Sequence, residues 1–129
     1  MTAINKKTRK LVYDKYNGRC AYCGMPIEMK DMQVDHIKPI ARGHSDALME
    51  VTKMERGKEN IDNYNPSCRA CNFRKGMLDI EEFRDAIAKG MNALERNFTY
   101  RLVRKYRLIA EVVPRKVQFY FELVEKGMV

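Results

Sequence analysis

Cys20-Ala21-Tyr22-Cys23 has a counterpart further along the 129-residue chain in Cys68-Arg69-Ala70-Cys71, and the two stretches contain all four cysteines. Two thiolates separated by two residues can reach one ion, and two such pairs complete a tetrahedral zinc site with Zn–S distances of about 2.3 Å. Four thiolates leave no open coordination position, so a zinc ion bound by them is structural. A redox pair, two unrelated buried turns and an iron–sulfur cluster are the alternatives, but the paired spacing favours zinc.

The charge of the chain indicates a polyanionic partner. There are 25 Lys and Arg residues against 17 Asp and Glu, which gives a net charge of +8. This balance is typical of proteins that bind nucleic acid, and DNA is the expected partner. No apolar stretch approaches the roughly 18 residues of a membrane helix, and none follows the charged start. We therefore expect a cytoplasmic protein with no membrane partner, whose thiols stay reduced and available to a metal.

The segment between the cysteine pairs carries polar residues suited to phosphodiester hydrolysis. Asp35 precedes His36, Asn63 follows later, and Asn72 comes directly after the last cysteine. Mg²⁺ or Mn²⁺ prefers oxygen ligands, which the Asp35 carboxylate and the Asn72 side-chain carbonyl would supply. His36 would deprotonate the attacking water, and Asn63 would orient the imidazole or the loop that carries it.

Two considerations oppose this interpretation of the Asp-His pair. An isolated pair of this kind is more often a surface feature than a catalytic one. In addition, adjacent residues of a regular strand point to opposite faces. Asp35 and His36 can serve one phosphate only if the strand bends, bulges or ends at this point.

A helix is predicted over residues 68–75, which include the second cysteine pair, and it can serve two metal-binding roles. Successive helical residues are rotated by about 100°, so Cys71 can bind zinc while Asn72 binds a second ion nearby. Arg74 and Lys75 follow at the end of this helix and are expected to contact DNA phosphates. Alternatively, both side chains are solvated at the end of the helix, where positive charge is favourable, and contact no DNA.

Three ordered motifs resemble the HNH endonuclease family: Val34-Asp35-His36-Ile37-Lys38-Pro39, Asn63-Tyr64-Asn65-Pro66-Ser67-Cys68 and Cys71-Asn72-Phe73-Arg74-Lys75-Gly76. The flanking cysteine pairs are similar to the Cys₄ zinc-containing branch of that family. The C-terminal Phe119-Tyr120-Phe121-Glu122 is similar, more weakly, to small phage and prophage members.

The resemblance implies a ββα-metal core in which His36 is the general base and Asn63 is the orienting residue. Asp35 and Asn72 would ligate one catalytic divalent ion. Many members have histidine at the position of Asn72. An asparagine at this position resembles the branch of the family that includes junction-resolving enzymes. Asn60 is an alternative to Asn63, and His44 is expected to be an ordinary loop histidine.

The expected fold class is α+β: a small ββα-metal core clamped by a Cys₄ zinc site, with flanking helices and a C-terminal strand or hairpin. We expect a single domain over residues 1–129, with the HNH core over residues 10–90 and a helix-plus-strand extension over residues 91–129. Local patterns predict helices over residues 5–17, 68–75, 79–90 and 91–102. A loop is expected over residues 42–62, with a short helix within 46–54. Strands are expected around residues 33–37 and over residues 117–123, the second of them paired with 109–113.

Together these features predict a metal-dependent DNA endonuclease of HNH type, and the resemblance implies that it leaves a 5′-phosphate. The alternative is a non-catalytic zinc-knuckle protein that binds nucleic acid, and a redox or metal-storage protein is a third hypothesis. The presence of Asp35, His36 and Asn72 favours the enzyme, because binding alone has no need of all three. The sequence leaves the oligomeric state and the DNA substrate open.

Overall fold

The computed structural model describes residues 4–110 and 115–129. Two strands, β1 Gln33–His36 and β2 Tyr64–Ser67, form an antiparallel sheet in which Asp35 faces Asn65 and His36 faces Tyr64. The helices of the described residues are α1 Lys6–Asp14, α2 Asp46–Val51, α3 Arg69–Lys75, α4 Ile80–Glu95, α5 Phe98–Lys105 and α6 Tyr120–Glu125. Short 3-10 turns precede the strands at Met29–Asp31 and Ile61–Asn63. None of these helices is long and apolar enough to cross a membrane.

β1, β2 and α3 form a ββα unit. β2 continues into α3 through Cys68, whose Sγ accepts a hydrogen bond of 3.4 Å from the backbone N–H of Cys71 and so caps the helix. At the other end of α3, the Lys75 ammonium donates to the His36 carbonyl oxygen at 2.8 Å. Both ends of the helix are therefore fixed, one to the cysteine cluster and the other to the end of β1. The α+β class expected from the sequence is confirmed.

An aromatic cluster packs the C-terminal segment and α4 against the first cysteine pair. The ring of Tyr22 meets Phe83, Phe119 and Phe121 edge-on, with centroid separations of 5.4, 5.3 and 5.9 Å. Such pairs contribute about 0.5–1.5 kcal/mol each beyond the area they bury. The backbone N–H of Phe121 also donates to the carbonyl of Ala21 at 2.8 Å. Tyr22, which stands between the first two cysteines, is therefore at the centre of the main core.

The C-terminal segment contains a helix where alternation predicted a strand over residues 117–123. Extended residues up to Phe119 lead into α6, and Glu122 accepts a hydrogen bond of 3.0 Å from the Phe119 N–H. Arg84 holds the same carboxylate at 2.5 Å. These contacts anchor the first turn, and both Phe119 and Phe121 are buried in the aromatic cluster. The expected partner over 109–113 falls partly outside the described residues.

The boundary between α4 and α5 also differs from the expectation. α4 continues through Gly90 to Glu95, and the next helix begins at Phe98. One glycine costs about 1 kcal/mol in a helix interior, which weakens a helix without ending it. The boundary is set instead by Asn97, whose side chain accepts a hydrogen bond of 2.9 Å from the Tyr100 N–H and caps α5.

Candidate functional site

The four cysteines converge at one point, as their spacing predicted. Their sulfur atoms all lie within 4.8 Å of one another, and Cys23 Sγ is 3.9 Å from Cys68 Sγ. Four thiolates at about 2.3 Å from a tetrahedral ion are roughly 3.8 Å apart, so the cluster has the dimensions of a zinc site. The donor set therefore fits a metal such as zinc, held between the loop after α1 and the start of α3.

The thiols of this cluster oppose one another's ionisation. A hydrogen bond from Cys71 lowers the pKa of Cys20 to about 4. Burial and the neighbouring thiolate raise the pKa of Cys23 to about 11, and the hydrogen bond to Cys20 raises the pKa of Cys71. One negative charge is thus favoured and further charges are disfavoured. A divalent cation relieves this repulsion, because it stabilises all four thiolates together.

A buried network links the cysteine cluster to Asp35. The Tyr22 hydroxyl donates to Asp35 Oδ2, and the fully buried Lys75 ammonium lies 3.2 Å from the same oxygen. Burial raises the pKa of Asp35, against the opposing effects of Lys75 and Tyr22. Burial and the Asp35 charge raise the pKa of the Tyr22 hydroxyl, which stays a hydrogen-bond donor. Oδ1 of Asp35 accepts no hydrogen bond from the described residues, so it remains available to a ligand.

Asp35, His36 and Asn72 line one open cleft of about 340 Å³. β1 ends at His36, so the alternation of a longer strand does not separate the two adjacent side chains. Asn72 projects from α3, one residue after Cys71, and its side chain makes no hydrogen bond within the described part of the chain. The structure therefore brings together the three residues that the sequence singled out for catalysis and divalent-ion binding.

The imidazole of His36 has a carboxylate partner that sequence reasoning missed. Nε2 of His36 pairs with Oε1 of Glu59, while Oε2 of Glu59 accepts a hydrogen bond of 3.2 Å from the Tyr64 hydroxyl. The His36 ring also packs edge-on against Tyr64, with 5.3 Å between the centroids. Glu59 lies in a polar segment without periodicity, 23 residues after His36. Nothing in the local sequence signals this contact.

Asn63 fastens the two ends of the segment between β1 and β2. Its Oδ1 accepts from the Lys38 N–H at 2.9 Å, and its Nδ2 donates to the carbonyls of Lys38 and Lys58, each at 2.9 Å. Asn60, the alternative considered for this role, accepts from the Asp62 N–H at 3.1 Å and only caps the adjoining turn. The contacts therefore give Asn63 the central position in this segment.

The same segment depends on Gly57. A Cβ atom at this position would lie 2.7 Å from the Lys38 carbonyl carbon and 2.8 Å from Asn63 Nδ2. Gly57→Ala is therefore expected to separate the two ends of the segment and to lower the free energy of unfolding by roughly 1–3 kcal/mol. Urea unfolding measures this loss. Gly90→Ala is the matched control, since nothing lies within 4 Å of its added Cβ, and a gain of about 0.5–1 kcal/mol is expected. Equal stability of the Gly57→Ala and wild-type proteins would contradict the expectation.

The part of the chain that holds the cysteine cluster and the cleft is similar to a known protein family. The family model described as HNH endonuclease matches residues 20–77. Residues 20–77 match an HNH endonuclease domain, and we call them the HNH domain. The matched range begins at Cys20 and ends just after Gly76, so it encloses the four cysteines, both strands, α3 and all the residues of the cleft named above. No curated protein matches the chain.

Two residues at the end of α3 in the HNH domain were expected to contact DNA, and the structure separates them. Arg74 is exposed and remains a candidate. Lys75 is fully buried, with its ammonium committed to Asp35 and to the His36 carbonyl. The expected phosphate contact of Lys75 is therefore corrected. This lysine fixes the C-terminal end of β1, because a buried ammonium needs its partners inside the protein.

His44, the second histidine of the chain, directly follows Gly43, a residue that lines the cleft of the HNH domain. It is not among the residues that line the cleft, and its carbonyl oxygen accepts a hydrogen bond of 2.9 Å from Arg56. Arg56 also binds the carbonyls of Ile40 and Ala41, so it closes the turn that leads to α2. α2 itself is the short helix expected within residues 46–54.

Proposed function

We propose that the protein is a metal-dependent DNA endonuclease that hydrolyses phosphodiester bonds with one divalent ion and a water activated by His36. The observation that carries this proposal is the meeting of Asp35, His36 and Asn72 in one open cleft of an HNH domain. A protein that only bound nucleic acid would have no need to gather a carboxylate, an imidazole and an amide around one opening. We further propose that the protein acts in the cytoplasm and belongs to the phage-like members of the family.

Asp35 and Asn72 would hold the catalytic ion. Oδ1 of Asp35 and the carbonyl oxygen of Asn72 are the oxygen donors that these two residues offer to the cleft, and Mg²⁺ or Mn²⁺ fits this donor set. When bound, the ion would stabilise the negative charge that develops on the phosphate and on the leaving oxygen. Tyr22 and Lys75 hold the other carboxylate oxygen, so Asp35 would present Oδ1 in a fixed direction.

His36 would take the proton from the attacking water. Its side chain lines the cleft and is only 15% exposed, so the ring is held rather than mobile. The water oxygen would form a bond to phosphorus while the bond from phosphorus to the 3′-oxygen breaks, which leaves a 5′-phosphate. Asn63 would support this step from a distance, because it fastens the chain on both sides of the segment that carries Glu59.

The charge of the protein would bring DNA to the cleft. Arg42 lines the opening and Arg74 is exposed at the end of α3, so both would meet the phosphate backbone. With a net charge of +8, DNA affinity would be sensitive to salt, since each phosphate contact releases counterions. The zinc in the cysteine cluster would take no part in hydrolysis, because four thiolates complete its coordination.

Cleavage of supercoiled plasmid in the presence and absence of Mg²⁺ or Mn²⁺ tests the proposal. Wild-type protein is expected to cut only with the ion. Asn72→Ala is expected to raise the Mg²⁺ concentration for half-maximal cleavage roughly tenfold, which corresponds to about 1.4 kcal/mol. Asp35→Ala is expected to have a larger effect, because it removes the charged ligand.

Asn92→Ala, an exposed asparagine of α4, is the matched control and is expected to cut like the wild type. Zinc content is measured in every variant and is expected to stay unchanged. DNA binding without cleavage under all conditions would instead support the non-catalytic alternative. Undiminished cutting by Asp35→Ala at low Mg²⁺ would remove this residue from the ion site.

A further inference from the structure

We propose that Glu59 is a positioning residue for His36: its carboxylate holds the proton of the imidazole on Nε2 and leaves Nδ1 as the atom that accepts a proton from water. The proposal rests on the proposed function for its catalytic consequence. The Glu59 carboxylate is shared between two donors, with Oε1 at His36 Nε2 and Oε2 at 3.2 Å from the Tyr64 hydroxyl. Two separate contacts fix the orientation of the carboxylate better than a single surface ion pair does.

The backbone that leads into Glu59 is fixed at two points. The Lys58 carbonyl accepts from Asn63 Nδ2 at 2.9 Å, and the Gly57 N–H donates to the Pro39 carbonyl at 2.8 Å. Pro39 itself lines the cleft. The Glu59 side chain is 42% exposed, but the backbone just before it is hydrogen-bonded to a residue that lines the cleft.

The contact with Glu59 uses Nε2 of His36, so Nδ1 is the ring nitrogen that this contact leaves free. His36 lines the cleft and Glu59 does not, so the nitrogen that meets Glu59 is occupied by the protein. A neutral imidazole has one N–H donor and one acceptor nitrogen, and the hydrogen bond made by one nitrogen decides which is protonated. A carboxylate is an acceptor only, so it selects the proton on Nε2. The edge-on contact with Tyr64 restricts the ring further.

The consequence for catalysis is a specific pattern of kinetic changes. Without Glu59, the ring also samples the tautomer with its proton on Nδ1, and in that tautomer Nδ1 can no longer take a proton from water. Outer residues that orient a functional imidazole typically contribute about 10- to 100-fold. We expect Glu59→Ala to lower the single-turnover rate by this factor, with DNA affinity and the Mg²⁺ concentration for half-maximal cleavage unchanged. Glu59→Gln is expected to retain more of the rate, since its amide oxygen still accepts from Nε2–H.

Glu55→Gln is the matched control. Glu55 lies on the same segment, is fully exposed and pairs with Lys38, so it shares the charge and the chain context of Glu59 without touching the imidazole. Its variant is expected to cut at the wild-type rate. A Glu59→Ala rate within twofold of wild type would overturn the proposal. A rate restored by high Mg²⁺ would also overturn it, because that result would make Glu59 a ligand of the ion.

Imidazole ¹⁵N chemical shifts test the same inference without any cleavage. The chain has only two histidines, and His44→Gln assigns the signals of His36. Full-length wild-type protein is expected to show His36 with its proton on Nε2, and Glu59→Ala is expected to show a mixture of tautomers. A proton on Nδ1 in the wild type, or a tautomer unaffected by Glu59→Ala, would overturn the proposal. A wild-type protein that fails to cut DNA but shows the expected shifts would refute the proposed function and leave the role of Glu59 in place.

Discussion

Cys68→Ser is expected to release the zinc and unfold the HNH domain. Cys68 has two roles, since its Sγ is one of the four clustered sulfurs and also caps α3 by accepting from the Cys71 N–H. Structural zinc in small domains supplies about 10–16 kcal/mol of apparent binding free energy, which is as large as the whole stability of a typical domain, about 5–15 kcal/mol. Elemental analysis and circular dichroism measure the two losses.

Arg69→Ala is the control for this substitution, because Arg69 is the next residue, is exposed and contributes nothing to the cluster. It is expected to keep one zinc per chain and the wild-type spectrum. Wild-type protein without zinc, or a well-folded Cys68→Ser protein, would show that the cysteine cluster is not the clamp inferred from its geometry.

His36→Ala is expected to be folded, to bind DNA and to lose about 10²–10⁴-fold in cleavage rate, which is the usual contribution of a positioned general base. The substitution removes the imidazole from the cleft but leaves the Lys75 contact, because Lys75 binds the backbone carbonyl of His36. Plasmid nicking under single-turnover conditions measures the rate, and a DNA-binding assay in Ca²⁺ shows that the fold is retained.

His44→Ala provides the comparison, since it removes the other imidazole of the chain, which is not among the residues that line the cleft. Its cleavage rate is expected to be close to that of the wild type. If His44→Ala were the inactive variant, or if His36→Ala kept substantial turnover, the base would lie elsewhere and the site would have to be rebuilt around the segment between β1 and β2.

The parts of this protein that could be predicted from sequence are those whose partners follow from local spacing. The two CxxC pairs predicted the cysteine cluster, because two residues of separation impose nearly the same geometry in any chain. The position of Asn72 directly after Cys71 predicted that α3 serves both the cluster and the cleft. The residues of the HNH motif were likewise found from their order alone.

The contacts that could not be predicted join residues far apart in sequence. From its local sequence, Lys75 is expected at an exposed helix end. Its ammonium instead contacts the His36 carbonyl, 39 residues earlier in the chain, and its burial follows only from that packing. Glu59 reaches His36 across 23 residues in the same way. The alternation of Phe119 and Phe121 predicted a strand. In the structure, the extended Phe119 is followed by the first turn of α6, and this arrangement buries the same two rings.

The hydrogen bond from Tyr22 to Asp35 has a practical consequence for chelators. Tyr22 lies between Cys20 and Cys23, so stripping the ion from the cysteines would also release the side chain that orients the cleft carboxylate. EDTA would thus stop cleavage by two routes, of which only one depends on the ion in the cleft. The routes differ in how activity returns: magnesium alone restores a protein that has lost only the cleft ion, whereas one that has lost its clamp requires zinc first and magnesium second.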